Sequence, residues 1–159
     1  TTRLVGSEMC IRDSPQVGDT YILGNASFTV VCPDRYDYEE ENNRSLGIRL
    51  TDSSHSFLIL GDAQSKSESA MLNENLDLSA DVYMVSHHGS ASSSTEKFLR
   101  AVHPAFAVIS VGADNDYGHP AQKTLSRLEA QDIQILRTDL SGTITAYSTP
   151  DTLTWSTGR

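Results

Sequence analysis

The sequence predicts an α/β protein in which helices cover a mixed β-sheet. Short apolar runs rich in Val, Ile and Tyr are typical of buried strands, and several of them end at a Gly or a Pro. Two segments between the later runs carry apolar residues at helical spacing. The order is strands first, then strand, helix, strand, helix and strand, and finally a hairpin. This order is typical of a layered α/β fold.

The strand predictions rest on apolar runs that are too short for helices. Gly24-Asn25 lies between the first two runs and predicts a two-residue hairpin turn, because both residues tolerate positive φ. Pro33 ends the second run, and Ser53-Ser54 predicts another turn. The predicted strands span residues 20–23, 27–32, 45–51, 56–60, 81–86, 105–111, 133–137, 142–147 and 152–155.

Three helices are predicted, the first of them starting at Ser65 and reaching Leu72. The serine-rich run before Glu96 is a helix N-terminus signature, because it places a Ser three residues before a Glu. The third helix spans 121–130 and follows Pro120. Apolar stripes predict which faces of the last two helices point inward. The stripe residues are Phe98, Leu99, Val102, Leu125 and Leu128.

Length and composition narrow the class of protein. The chain has 159 residues, 38% of them hydrophobic, and a formal net charge of -9, which suits one globular domain with a substantial core. The acidic balance argues against a surface that coats nucleic acid, which needs clustered Lys and Arg, but it is compatible with a nucleic-acid substrate held locally by metal ions. The longest apolar run, 106–111, is far shorter than the ~20 residues of a membrane span. Cys10 and Cys32 make neither a disulfide framework nor a zinc knuckle.

The first residues differ in character from the rest. Residues 1–15 show no periodicity and no signal-peptide pattern, and the string from 6 to 14 resembles a translated sequencing adapter. We therefore expect residues 1–15 to be a non-native or disordered leader and residues 16–159 to form one domain.

Polar residues follow three of the predicted strands. Asp62 follows the strand 56–60, His87 and His88 follow 81–86, and His119 lies in the loop after 105–111. The carboxyl ends of strands in open α/β sheets are where ligand sites form. A carboxylate and imidazoles at one edge suit a divalent metal such as zinc or manganese. Two metal ions bridged by one carboxylate suit in-line displacement at phosphorus.

Each of these residues also has a structural interpretation. Asp62 can serve as a helix N-cap, and His119 can be an ordinary loop histidine. His87 and His88 can be surface residues of a polar loop. The sequence leaves these alternatives open for each residue taken alone, and the combination of all three positions favours a site.

Four motifs resemble the metallo-β-lactamase-fold domain of the ComEC type, which includes the C-terminal domain of the competence protein ComEC and stand-alone relatives. The resemblance covers about residues 45–146. The motifs are Gly-Asp at 61–62, His-His-Gly-Ser at 87–90, Tyr-Gly-His-Pro at 117–120 and Asp-Leu-Ser-Gly-Thr at 139–143.

The resemblance implies a fold and roles for particular residues. The fold is an αββα sandwich with one or two metal ions, zinc or alternatively manganese, at the top of its two sheets. Asp62 matches the metal-bridging aspartate, and His88 matches the late metal-ligand histidine. His87 matches the neighbour that binds metal less directly, orients His88 or contacts the leaving group. His119 matches a histidine of the same cleft with a substrate or proton-transfer role, or alternatively a metal-ligand role. Ser90 would hold a phosphate oxygen.

The sequence departs from the family in one respect. The family's main metal motif, His-x-His-x-Asp-His, is absent, and the isolated His55 and His103 do not supply it. We therefore expect the C-terminal half of the fold only, with an incomplete metal site and little activity of its own. Asn42, Asn43 and Ser45 resemble the lead into the strand before Gly-Asp and receive no firm role.

The implied activity is that of a bacterial metal-dependent hydrolase. The substrate class is a small-molecule or nucleic-acid phosphodiester, with DNA uptake in competence as the context. Other esters, such as phosphorylcholine esters and lactones, are alternatives, and so is a non-catalytic binding or assembly module. No membrane segment is predicted in this chain. An extracytoplasmic or secreted location is favoured over a cytoplasmic one, and the oligomeric state is open.

Overall fold

The computed structural model describes residues 14–52 and 54–158, and its main feature is a seven-stranded sheet. The strands follow one another across the sheet in sequence order. Neighbouring strands from β1 to β4 are antiparallel, and those from β4 to β7 are parallel. The strands are β1 (Thr20–Leu23), β2 (Ala26–Cys32), β3 (Gly47–Asp52), β4 (His55–Ile59), β5 (Val82–Met84), β6 (Phe106–Ile109) and β7 (Gln134–Arg137). The predicted mixed α/β arrangement is confirmed.

The parallel half of the sheet is built from strand-helix-strand units. Crossovers between parallel strands are right-handed in nearly all proteins, and in a sheet with strands in sequential order this brings the connecting helices to one face. These helices are α1 (Ser65–Met71), α2 (Glu96–Val102) and α3 (Gln122–Glu129), and a fourth short helix, α4 (Thr138–Ser141), follows β7. Two 3-10 turns, Glu41–Arg44 and Ser86–Gly89, flank the candidate site.

The hydrophobic core lies between these helices and the sheet. Alternate residues of the parallel strands point into it, as the period of two requires. The fully buried side chains of this core include Leu58, Tyr83, Ile109, Phe98, Leu99, Val102, Met71 and Leu128. The stripe that the sequence predicts for α2 is therefore confirmed, and so is the inward position of Leu128 in α3.

A two-stranded hairpin packs against the sheet. It consists of β8 (Ile144–Ser148) and β9 (Leu153–Thr157), close to the predicted 142–147 and 152–155. The Phe106 and Trp155 rings lie with centroids 5.1 Å apart, and the His55 ring contacts the Ser148 hydroxyl at 3.0 Å. Ile59 on the sheet remains 36% exposed, so the hairpin covers only part of that surface.

Several predicted boundaries needed correction. The strand predicted over 105–111 spans only Phe106–Ile109, and the Val111 N–H donates to the Thr138 hydroxyl at 2.8 Å. The helix α4 was missed, since four residues are too few to show a periodicity. The predicted leader falls largely outside the described residues, as do Cys10 and the Ser53 half of the predicted turn. Among the described helices, none is long and apolar enough to cross a membrane.

Candidate functional site

Asp62 lies where β4 leaves the sheet. Gly61 precedes it in the left-handed region, with φ of +57°, and this allows the chain to turn sharply after the strand. The Asp62 backbone N–H donates to the Ser45 hydroxyl oxygen at 3.2 Å. α1 begins only at Ser65 with Gln64 as its N-cap residue, so Asp62 is not the helix cap that the sequence left open. Its carboxylate is 44% exposed and free to meet a ligand.

His87 and His88 occupy a turn with an unusual backbone. Both have left-handed φ values, 51° and 54°, and Gly89 follows with φ of +82°. A left-handed residue other than Gly costs about 1–2 kcal/mol, so two in succession require support from their surroundings. The His87 N–H donates to the Gly61 carbonyl at 3.0 Å, and the Ala121 N–H donates to the Gly89 carbonyl at 2.9 Å.

A buried group of hydroxyls provides more of that support. The Tyr83 hydroxyl contacts the Ser86 hydroxyl at 2.8 Å and the Ser94 hydroxyl at 3.1 Å. The Ser93 hydroxyl donates to the Ser86 carbonyl at 2.9 Å. Burial raises the pKa of Tyr83 to about 12, so this hydroxyl stays protonated. These buried hydroxyl groups therefore stabilise the turn that carries both histidines.

The Gly89 position also fixes the distance to the next loop. A Cβ at Gly89 would lie 2.7 Å from the Pro120 Cβ, which no ordinary contact allows. The turn therefore packs directly on the residue that follows His119. This close approach explains why Gly stands between His88 and Ser90.

His88 faces Asp62 through a defined ring nitrogen. Its Nδ1 lies 2.7 Å from the Ser110 carbonyl oxygen, and because a carbonyl only accepts, Nδ1 must carry the hydrogen. In the neutral ring, Nε2 then presents a lone pair, and this atom is 3.6 Å from Asp62 Oδ1. Two acceptors facing each other suit a cation or a proton between them.

His87 lies between two amides. Its Nε2 is 3.5 Å from Asn42 Nδ2, and its Nδ1 is 3.4 Å from Gln64 Nε2. Both contacts are at the long end for a hydrogen bond, so the ring is contacted loosely. The His87 ring centroid is 6.4 Å from that of His88 and 5.8 Å from that of His119. His87 is therefore the middle member of a row of three imidazoles.

His119 is held by its own loop. The Asn115 side chain accepts from the His119 N–H at 2.9 Å and donates to the His119 carbonyl at 2.7 Å. The Nδ1 of His119 is buried and has no hydrogen-bond partner among the described residues. Burial, followed by the charges of His87 and His88, lowers the pKa of His119 below its usual value. His119 therefore favours the neutral imidazole more than an unperturbed histidine does.

Ser90 differs from the other predicted residues. It is 9% exposed, its hydroxyl contacts the Ser92 hydroxyl at 3.0 Å, and its carbonyl accepts from the Thr124 hydroxyl at 2.8 Å. These contacts tie the turn to α3. The predicted contact of Ser90 with a phosphate oxygen stays a prediction.

Asn42 and Asn43, to which the sequence assigns no firm role, both contact other side chains or backbone groups of the site. Asn43 is fully buried, and its Oδ1 accepts from the N–H groups of Gln64 and Ser67, both at 3.2 Å. It caps the start of α1 from the 3-10 turn. The only sequence signal for this role is that Asn43 lies in a polar run just before a strand. The groups that donate to Asn43 are more than 20 residues away, and the sequence does not identify them.

The residues of this edge fit a metal ion only in part. Two ligands of a tetrahedral zinc ion are about 3.4 Å apart, given metal-ligand distances of about 2.0–2.2 Å, and the Asp62–His88 separation of 3.6 Å is close to this. The hydrogen bond from His88 Nδ1 to a carbonyl is the usual support of a metal-binding histidine. However, no group of three or more His, Cys, Asp or Glu suited to a metal occurs within 14–52 and 54–158.

Comparison with known proteins identifies relatives. No family model matches the sequence. ComE operon protein 3 of Bacillus subtilis (strain 168) is 37% identical over 127 residues, which are 80% of this chain and 16% of that protein. Competence protein ComA of Neisseria gonorrhoeae is 35% identical over 118 residues, or 74% of this chain and 17% of the relative. The chain is a homologue of one segment of the ComEC-type competence proteins.

A third relative, Recombination protein 2 of Haemophilus influenzae, is 31% identical over 117 residues, which are 74% of this chain and 15% of that protein. The chain thus spans about one sixth of the length of these curated relatives. These relatives confirm the resemblance to ComEC-type competence proteins that the motifs predict. The metal, the reaction and the role of each site residue in this ComEC-type homologue stay predictions.

Proposed function

We propose that this chain is part of a metal-dependent hydrolase of the metallo-β-lactamase type that cleaves a phosphodiester, with DNA as the substrate class. The observation that carries the proposal is the meeting of Asp62 and His88 at the carboxyl ends of two neighbouring parallel strands. Ligand sites of open α/β sheets form at such strand ends. The competence names of the relatives support DNA as the substrate class.

The proposed metal would be held by Asp62 and His88 together with donors that the described residues do not supply. Such a metal lowers the pKa of a bound water and stabilises negative charge that develops during hydrolysis. The chain's own part is to orient the two ligands. The Ser110 carbonyl fixes the tautomer of His88, and Ser45 fixes the backbone of Asp62.

His87 and His119 would serve the substrate side. In its neutral form, His119 can accept a proton. Its buried Nδ1 lacks a hydrogen-bond partner among the described residues, so a substrate group could form a hydrogen bond with it. His87 stands between His88 and His119 and is loosely contacted, which leaves it free to donate to a leaving-group oxygen. Ser90 would contribute only if the turn exposes its hydroxyl when substrate binds.

A non-catalytic binding or assembly module is the second candidate. The observation that favours it is the donor count: within the described residues, no more than two metal-binding groups meet at one point. A ligand pair that never acquires its remaining donors would hold no catalytic metal. The two candidates differ in whether the complete gene product hydrolyses a phosphodiester.

The test is hydrolysis of a bis-aryl phosphodiester with manganese or zinc. The complete gene product that contains this segment should be active, and the 159-residue chain alone should not. Asp62→Asn combined with His88→Asn should lower kcat/KM at least about 100-fold. Asn is chosen at 88 because it tolerates the left-handed backbone better than Ala does.

The matched control is a carboxylate and an imidazole at the opposite edge of the sheet. His103 and Asp132 line a shallow cleft there, and both also have left-handed φ values, 49° and 56°. His103→Asn combined with Asp132→Asn should leave kcat/KM unchanged. Activity that survives the site variant as well as the control would overturn the site assignment. Absence of activity in the complete gene product with either metal would favour the binding module.

A further inference from the structure

Tyr117 is an exposed aromatic residue at the edge of the candidate site. It lies in the loop between β6 and α3, and it is 83% exposed. Its ring stacks on the His119 ring, with centroids 5.9 Å apart and an angle of 25° between the planes. No other ring and no hydrogen bond within the described residues engages its side chain. The Tyr117 ring therefore lies beside the His119 ring, and most of its surface is open to solvent.

A small cavity adjoins this pair. It has a volume of about 180 Å³ and is lined by His88, Val111, Gly112, Asn115, Tyr117 and His119. Five of these six residues are rings, an aliphatic residue or a glycine, and only Asn115 brings an amide. Such a surface suits a flat, weakly polar group. Because His88 also contacts Asp62, the cavity opens directly beside the proposed point of cleavage.

The charges of the same loop indicate which part of a nucleotide would lie here. Asp114 and Asp116 are exposed, and neither forms an ion pair within 14–52 and 54–158. Two carboxylates repel a phosphate but leave a neutral base almost unaffected. Stacking of a base on an aromatic ring needs no positive charge and tolerates any base. The loop therefore suits the base, and the row of histidines suits the phosphate.

We propose that Tyr117, backed by His119, is a stacking platform for an unpaired nucleobase next to the phosphodiester bond. The substrate is accordingly single-stranded DNA or a DNA end whose bases are free to leave the helix. The inference rests on the proposed function, since it assigns the substrate class of that same site. Tyr117 acts in binding and specificity, and it takes no part in the bond-breaking step.

The test compares two short single-stranded oligonucleotides of equal length and equal phosphate number, one of thymidines and one of abasic sites. Binding to the 159-residue chain is measured by fluorescence anisotropy in the presence of EDTA, so that metal-dependent cleavage does not occur. The chain should bind the thymidine oligonucleotide about tenfold more tightly, as expected for loss of one stacked base. The preference should not change between 50 and 200 mM salt, because both ligands carry the same charges.

Three variants locate the effect. Tyr117→Ala should abolish the preference, and Tyr117→Phe should retain it because the ring is kept. Tyr147→Ala is the matched control, because Tyr147 is also exposed (56%) but lies in the hairpin strand β8. It should retain the preference. Equal binding of both oligonucleotides by the unmodified chain, including no binding of either, would overturn the platform, and so would a preference that survives in Tyr117→Ala.

Failure of the platform and failure of the proposed function give different results. A base preference that depends on Tyr117, combined with absence of phosphodiester hydrolysis in the complete gene product, would refute the hydrolase and leave the platform standing. Hydrolysis that depends on Asp62 and His88, combined with equal binding of both oligonucleotides, would refute the platform alone.

Discussion

Replacement of Glu68 by Ala should destabilise the chain strongly, although Glu68 lies outside the candidate site. This carboxylate is fully buried in α1. It accepts hydrogen bonds from the backbone N–H of Ser94, from the Thr95 N–H at 3.0 Å and from the Thr95 hydroxyl at 2.7 Å. These donors lie at the start of α2, so Glu68 takes the place of the local capping box that the sequence predicts there.

The magnitude follows from the groups left without partners. Burial raises the pKa of Glu68, and each buried donor that loses its acceptor costs about 1–3 kcal/mol. Glu68→Ala leaves three donors of Ser94 and Thr95 without this acceptor, so we expect a loss of about 4 kcal/mol. For a chain of this length that corresponds to a fall in Tm of about 10 °C. Glu68→Gln keeps the volume and part of the acceptors and should lose about half as much.

The free energy of unfolding is measured by urea titration followed by circular dichroism, with Tm as a second readout. Glu74→Ala is the control, because Glu74 is an exposed residue just after the same helix, and it should change stability by less than about 0.5 kcal/mol. Hydrogen exchange adds a local test, since the amides of Ser94 and Thr95 should lose protection first. A Glu68→Ala variant that unfolds within 1 kcal/mol of Glu74→Ala would refute the reasoning.

Two further predictions concern the site itself. The 159-residue chain should bind zinc weakly, with Kd of about 10 μM or weaker. The reason is that complete four-ligand sites reach binding free energies of about 10–16 kcal/mol, whereas Asp62 and His88 are only two donors. Tight stoichiometric binding in calorimetry would contradict this, and so would binding heat that persists in Asp62→Asn combined with His88→Asn. His119 should titrate below the usual pKa of about 6.5 in an NMR titration, and His87→Gln should move that pKa upward by removing a neighbouring charge. Because the unfolded chain then binds the proton more readily than the folded one, the stability linked to His119 is full above pH 6.5 and is lost as pH falls through the lowered pKa. A measured pKa of His119 above 6.5 would show that burial does not dominate the pKa of this group.

The sequence was informative where the signal was local. A short apolar run followed by Gly-Asp or His-His predicts a strand end with polar residues, and β4 and β5 end in this way. Because these strands are parallel neighbours, the side chains that follow them meet, as Asp62 and His88 do. This step needs only the period of strands and the geometry of parallel sheets.

The sequence was uninformative where the deciding partner is distant in the chain. The Ser-rich run before Glu96 predicts a capping box, but α2 begins at Glu96 itself. The amides of Ser94 and Thr95, just before the helix, donate to Glu68 of another helix. The start of α1 depends in the same way on Asn43. The left-handed backbone of His87 and His88 gave no signal of its own, since bulky residues rarely adopt it and only the following Gly marks the turn.

The orientation of His88 links the register of the sheet to the chemistry of the site. The carbonyl that fixes its tautomer belongs to Ser110, one residue beyond the end of β6, and β5 pairs with β6 in the register Met84 with Val108. A slip of one residue would move that carbonyl by about 3.3 Å along the strand, which is more than a hydrogen bond tolerates. His88 Nδ1 would then lose its acceptor, and Nε2 would no longer be the atom that faces Asp62. If the proposed metal site exists, core substitutions that loosen the pairing of β5 with β6 should weaken zinc binding in calorimetry before they lower Tm.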